Sequence, residues 1–182
     1  MREFNSYNVI AAMLAVSPKD PSRTRIGGVN ITREYGMGVN VTATCGAMLL
    51  TLCTTNKEIA CPENTSVTMD GTHLRKMLKL FSRSREPLIR VISGVPYLSD
   101  YPIDTIDEKF VDVKSVLESR NDKTYSNSPQ EVDFRALSKL AKAMDRLVKY
   151  ATLSNHDCGD GFKLMRDVGD DTVIGLLMPT HT

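Results

Sequence analysis

The sequence predicts an α+β fold in which a strand–helix–hairpin unit recurs two or three times, with antiparallel sheets and amphipathic helices. Three observations predict it. Two stretches carry apolar residues at helical spacing, around 72–82 and 131–150. Short runs rich in valine and threonine, bounded by glycine, alternate as half-buried strands do. The two kinds of stretch also follow one another in the same order more than once.

The first element is a helix over 4–17. Val9, Ile10, Met13 and Leu14 share one face, Asn5 or Ser6 caps the start, and Pro18 and Pro21 stop it. Its other face, with Asn8, Ala12 and Ala15, is uncharged. IGGVNITREYG and VNVTATCGAMLLTLCTT then read as two strands joined by a turn at Gly36 to Gly38, hence a hairpin. TSVTM is a short strand leading into Asp70-Gly71-Thr72, where Asp70 or Thr72 caps a helix running to about Ser82. Leu74, Met77, Leu78 and Phe81 form its apolar stripe, and Arg75, Lys76, Lys79 and Arg83 cluster on the other side. LIRVISG is another strand. Residues 96–130, with Pro96, Pro102 and ESRNDKTYSNSPQ, are irregular and end in a loop or linker. The next helix starts either at Ser128-Pro129 with Glu131, as a capping box, or near Asp133 after a strand EVDF. The tail, GFKLMRD, a turn at 169–171 and TVIGLLMP, is a second hairpin.

Within EVDFRALSKLAKAMDRLVKY, Arg135, Lys139, Lys142, Arg146 and Lys149 are spaced four, three, four, three. At about 100° per residue they fall within roughly one quarter of a helix circumference, opposite Leu137, Leu140, Met144, Leu147 and Val148. A charged helix face is ordinarily only solvated and mixes acids with bases. A single-sign row repels itself and suits an anionic partner. The same pattern on the helix over 72–82 strengthens that reading. Net charge is only +1, from 23 bases and 22 acids, so affinity for nucleic acid has to come from segregation of charge within the fold.

Other chemistry is thinly represented. Cys45, Cys53, Cys61 and Cys158 have neither C-x-x-C spacing nor a nearby histidine pair, so neither a metal nor any other cofactor is expected. NHDCGDG (155–161) gathers His156, Asp157, Cys158 and Asp160, which a metal-dependent hydrolase could use, but an Asn/Asp/Gly-rich stretch is more simply a turn. There is no phosphate-cradling glycine loop, nucleophile elbow or H-E-x-x-H, and no catalytic residue is assigned. The start has too short an apolar run for a signal peptide and no stretch approaches a membrane span, so the expected location is cytoplasmic, with no membrane partner.

Five pieces, in order, resemble the sliding DNA clamps of the bacterial polymerase III β-subunit family. NVIAAMLAVSPKDPSRTRIGGVNIT resembles the opening helix and strand of a clamp domain. VNVTATCGAMLL is similar to the clamp segment ATDGHRLA at Ala43, Thr44, Gly46 and Leu49, and SVTMDGTHLRKMLKLF to the strand and KLLKLL-like helix after it. DEKFVDVKSVL resembles GKFPDYRRVL at Lys109, Phe110, Asp112 and Val116, and TVIGLLMP the closing strand, through Met178 and Pro179. There are departures: Cys45, Ala47 and Met48 replace acidic, histidine and arginine positions, Thr180-His181-Thr182 replaces the usual end, and the chain is about half a bacterial clamp chain in length. A shortened, phage-encoded form would account for that, acting in the host cytoplasm.

The resemblance implies units of DNA-clamp type, with antiparallel sheets outside and helices on one face. It implies a clamp-like domain over 1–118 and an added half-domain over 119–182. The implied function is that of a non-enzymatic processivity factor for a DNA polymerase, encircling duplex DNA without reading sequence. Its partners would be that polymerase or another replisome protein. Arg75, Lys76, Lys79, Arg83, Arg135, Lys139, Lys142, Arg146 and Lys149 would face DNA, and Met178 and Pro179 would lie beside a peptide pocket. Family rings contain twelve strand–helix units. With three units (helices near 7–17, 72–82 and 133–150), four chains would close a homo-oligomeric ring. The alternative is a clamp-like interaction protein that binds a replisome or host partner without encircling DNA.

Overall fold

The structure, a computed structural model, describes residues 4–20, 26–55, 57–81, 87–118, 133–155 and 161–177. The first helix, α1 (Ser6–Val16), starts at Asn5, whose side chain accepts a hydrogen bond from the Asn8 amide, and gives way at Ser17 to Pro18. Val9, Ile10, Ala12, Met13, Leu14 and Val16 are all buried. A helix apolar over most of its circumference is one covered on several sides, and this explains the missing charge on its second face.

Strands β1 (Gly28–Arg33) and β2 (Val39–Thr44) form the expected hairpin, with Ile31 opposite Val41. The following stretch corrects the sequence reading. It is not one strand but two, because the chain turns at Cys45–Ala47 before β3 (Met48–Thr54). Gly46 takes φ +90°, a region that favours glycine. Thr44 Oγ1 accepts from the Gly46 amide and donates to the Met48 carbonyl, closing the turn. After the two-residue β4 (Ile59–Ala60) and β5 (Thr65–Asp70), Asp70 caps α2 (Gly71–Leu78) by accepting from the His73 amide at 2.6 Å.

The stretch after Pro87 is more regular than its prolines suggest. Strands β6 (Ile89–Ile92), β7 (Val95–Leu98) and β8 (Tyr101–Pro102) form a meander, turning at Ser93 and Gly94, both with positive φ. Pro96 donates nothing to β6, but its carbonyl accepts from Ile103 at 2.8 Å. A short α3 (Val113–Glu118) follows. Of the two alternatives for the basic helix, the structure uses Asp133. Its carboxylate accepts from the Arg135 and Ala136 amides and starts α4 (Phe134–Met144). α4 is shorter than the 131–150 stretch, and Arg146 and Lys149 lie in the turns after it. An additional strand, β9 (Thr152–Asn155), precedes the tail hairpin of β10 (Phe162–Val168) and β11 (Asp171–Leu177).

Seven strands form one antiparallel sheet in the order β5-β1-β2-β3-β11-β10-β9. The β3–β11 pairing, with Leu50 opposite Gly175, joins the N-terminal strands to the C-terminal hairpin. One face carries three helices side by side: α2 over β5 and β1, α1 over β1 to β3, and α4 over β3 and β11. Val29, Ile31, Val41, Ala43, Leu50, Leu52 and Val173 point into that core. The smaller sheet, β4-β6-β7-β8, departs from expectation in one pairing, since β4 runs parallel to β6. Its Ile59, Ile89, Val91 and Leu98 join the same core, and Ser6 of α1 bonds to the Pro87 carbonyl and the Glu58 carboxylate. On the other face of the large sheet, the 105–117 segment crosses Asn30, Thr42 and Thr51, leaving a cleft of about 1020 Å³. Among the described residues no helix is long and apolar enough to cross a membrane.

Candidate nucleic-acid interface

The helix layer has a sheet side and a solvent side, and sequence spacing decides what each shows. In α4, Ala136, Leu140, Ala143 and Met144 are buried against the sheet and α1. Leu140 and Met144 lie so close to β11 that a Cβ on Gly175 would sit 2.7 Å from Met144 Sδ and 3.2 Å from Leu140 Cδ1. The missing side chain at Gly175 therefore lets the helix seat deeply. Val148 continues the buried stripe past the helix end.

Arg135, Lys139 and Lys142 emerge on the opposite side of α4, and Arg146 and Lys149 are exposed in the turns after it. Lys76, in the C-terminal half of α2, and Lys79, which caps its end, are exposed on the same side of the sheet. Among the described residues none of these seven forms an ion pair, unlike Arg33 with Glu63 and Arg90 with Asp100. Seven exposed cations without an ion pair among the described residues, in a molecule of net charge +1, are segregated charge of the kind that suits a polyanion.

The sequence grouped Arg75 with these cations, but the structure places it differently. Its guanidinium turns inward, and Nη2 donates to the carbonyls of Leu14, Ser17 and Pro18 at 3.2, 3.0 and 3.1 Å. Those groups end α1, where helix carbonyls lack partners and the dipole favours a cation. Partial burial pushes the guanidinium pKa down, against the pull of Asp70. Arg75 thus ties α2 to α1. Arg75→Met is expected to cost about 1–3 kcal/mol of stability, measured by chemical denaturation, while any affinity of the cation row for DNA stays unchanged. A loss of DNA affinity at full stability would return Arg75 to the contact set.

Arg83, Met178 and Pro179 lie outside the described residues, as do His156, Asp157, Cys158 and Asp160 of the 155–161 stretch. His73, at the start of α2, accepts a hydrogen bond from the Asp104 amide through Nδ1 at 3.1 Å, linking α2 to the 103–106 segment. Among the described residues no three His, Cys, Asp or Glu side chains are placed to share a metal ion. Two exposed aromatics were not singled out in the sequence: Phe134, 78% exposed at the start of α4, and Tyr150, 69% exposed just beyond Lys149. Their signal was present, since an aromatic residue directly adjoins the terminal cation of the row at each end.

No protein-family model and no curated protein matches the sequence. Solved structures do match. The chain is similar to DNA polymerase III subunit beta from Borrelia burgdorferi, with a TM-score of 0.66, 12% identity, and coverage of 97% of this chain and 60% of that one. It is similar to the Helicobacter pylori beta clamp bound to a DNA ligase peptide, with TM-score 0.66, 11% identity, and coverage of 97% and 63%. It is also similar to the DNA polymerase III beta chain of Streptococcus pneumoniae, with TM-score 0.64, 13% identity, and coverage of 100% and 66%. At such identities the likeness is one of fold. The chain has the α+β fold of the bacterial β clamps and spans a little under two thirds of the length of these chains.

Proposed function

We propose that this chain, folded as a β clamp, is a sliding clamp: a processivity factor without enzymatic activity that encircles duplex DNA as a homo-oligomeric ring. The observation that carries the proposal is the helix layer itself, whose solvent side presents Lys76, Lys79, Arg135, Lys139, Lys142, Arg146 and Lys149 without an acidic partner among the described residues. Arg83 completes the set by its place in the sequence pattern. Cations that meet phosphates without reading base edges hold a duplex in any register, which permits sliding.

In this reading residues 1–118 form one clamp-like domain and 119–182 an added half-domain, with the β3–β11 pairing as the seam. Three helices in one layer correspond to three of twelve units, so four chains close the ring. Among the described residues β9 ends the large sheet without a further partner and with Leu153 exposed, and such an edge suits pairing with a second copy. A DNA polymerase or other replisome protein, docking near Met178 and Pro179, is the functional partner.

The test is retention on closed circular against linear duplex DNA across a salt series. A clamp stays on the circle, leaves free ends and loses affinity steeply with salt. Light scattering on the same sample is expected to give four chains, and a stable monomer at working concentration would sink the ring. A second reading, a clamp-like protein that binds a replisome or host partner without encircling DNA, draws on α1, whose covered and neutral surface leaves one of the three helices without cations. Equal behaviour on circular and linear DNA would favour it.

A further inference from the structure

Phe134 and Tyr150 stand at the two ends of the cation row on α4 and the turns after it. A single exposed aromatic is ordinary. Two that bracket the same row, which forms no ion pair among the described residues, are not explained by packing, because neither belongs to the core. Phe134 is the first residue of α4, on its solvent half, where Asp133 caps the helix and fixes the backbone beneath the ring. Lys149 Nζ lies 5.6 Å from the centroid of the Tyr150 ring, a cation–π contact that orients the phenol while most of it stays open to solvent. Between them, α4 supplies Arg135, Lys139 and Lys142 along on the order of 16 Å of helix.

Cations that follow a backbone, with aromatic faces at intervals, are the chemistry of single-stranded nucleic-acid binding. A duplex keeps its bases stacked inside and offers this surface only phosphate, so the rings gain nothing from it. An unpaired strand offers base faces as well. We propose that the α4 face is also a single-strand site, in which Arg135, Lys139, Lys142 and Arg146 hold the phosphates and Phe134 and Tyr150 each stack on an unpaired base. The proposal deepens the DNA-facing reading of this surface and rests on it. It adds a preference for DNA that is partly single-stranded, such as a junction between template strand and duplex.

The experiment measures binding of the full chain to a dye-labelled oligo(dT) of about 20 nucleotides and to a blunt duplex of equal length, by fluorescence anisotropy at one salt concentration. The Phe134→Ala/Tyr150→Ala double variant is expected to lose about tenfold or more in oligo(dT) affinity with duplex affinity unchanged. Phe134→Leu, which keeps apolar bulk but no π face, is expected to fall as Phe134→Ala does. The chain contains no tryptophan, so Tyr150→Trp places one reporter at the site. Its emission is expected to be quenched by oligo(dT) and not by duplex. Unchanged oligo(dT) affinity in the double variant, an equal loss on duplex, full rescue by leucine, or no quenching would each overturn the proposal. Retention of the wild type and the double variant on circular duplex separates the two claims. If the wild type fails to stay on the circle while oligo(dT) binding still depends on the rings, the clamp reading falls and the stacking site stands. If both stay on the circle and oligo(dT) binding is indifferent to the rings, the stacking site falls and the clamp stands.

Discussion

Changing Lys139, Lys142 and Arg146 together to glutamate is expected to abolish retention on circular duplex DNA and leave the fold intact. All three side chains lie at the surface and, among the described residues, form no ion pair, so their replacement breaks no salt link there. Glutamate and lysine have similar helix propensity, so the changes at Lys139 and Lys142 leave the intrinsic propensity of α4 nearly as it is, and Arg146 lies beyond the helix. The binding term changes sharply. Each phosphate neutralised by a cation contributes close to one unit to the slope of log affinity against log salt, so three lost contacts flatten it by about three. Three new carboxylates add direct repulsion of phosphate. The combined loss is expected to reach about a hundredfold or more in equilibrium affinity. Thermal denaturation of the same variant should match the wild type. Unfolding under mild conditions would mean that the face serves the fold rather than DNA.

Leu140→Ala is expected to have the largest effect on stability, through the other side of the same helix. Leu140 is fully buried, and both its terminal methyls pack against Gly175 where α4 meets β11. Removing a buried leucine side chain costs about 2–5 kcal/mol, rising with the cavity left behind. α4 has only 11 residues and buries four of them, so little else is available to close the gap. For a chain of this size about 1 kcal/mol lowers Tm by about 2–4 °C, which calorimetry would detect readily. Gly175→Val attacks the same seat from the sheet side, with Met144 and Leu140 standing where its side chain must go, and is expected to cost about 1–3 kcal/mol. Both variants should also weaken DNA retention although neither touches a cation, because the row is aimed only by the seating of α4. Full retention at reduced stability would show that the row binds whatever the attitude of the helix.

The periodic elements were legible in the sequence because their signals are local. Asn5, Asp70 and Asp133 cap helices as short polar side chains ahead of apolar periodicity should, and the hairpins around Gly36–Gly38 and 169–170 follow from their turn residues. Misreadings arose where a local signal was overridden. Prolines made 96–130 look irregular, yet Pro96 sits in β7 because that position accepts a hydrogen bond and need not donate one. The alternation from Val39, running into the apolar stretch around Met48 to Leu52, concealed a turn that Gly46 bends and Thr44 closes. The short β9 has only four residues, too few for a periodic signal of its own, and is defined by its pairing with β10.

By itself the sequence determined which residues are cationic, at what spacing, and opposite which apolar stripe, since helical geometry turns spacing into faces without help from the rest of the chain. Only tertiary structure decided which of those cations stay free. Arg75 obeys the same periodicity as Lys76 and Lys79, but the end of α1 lies close enough to claim its guanidinium, whereas no carboxylate of the described chain pairs with the row on α4. A side chain's partner is fixed by what packs beside it, and packing brings together residues that lie far apart in sequence.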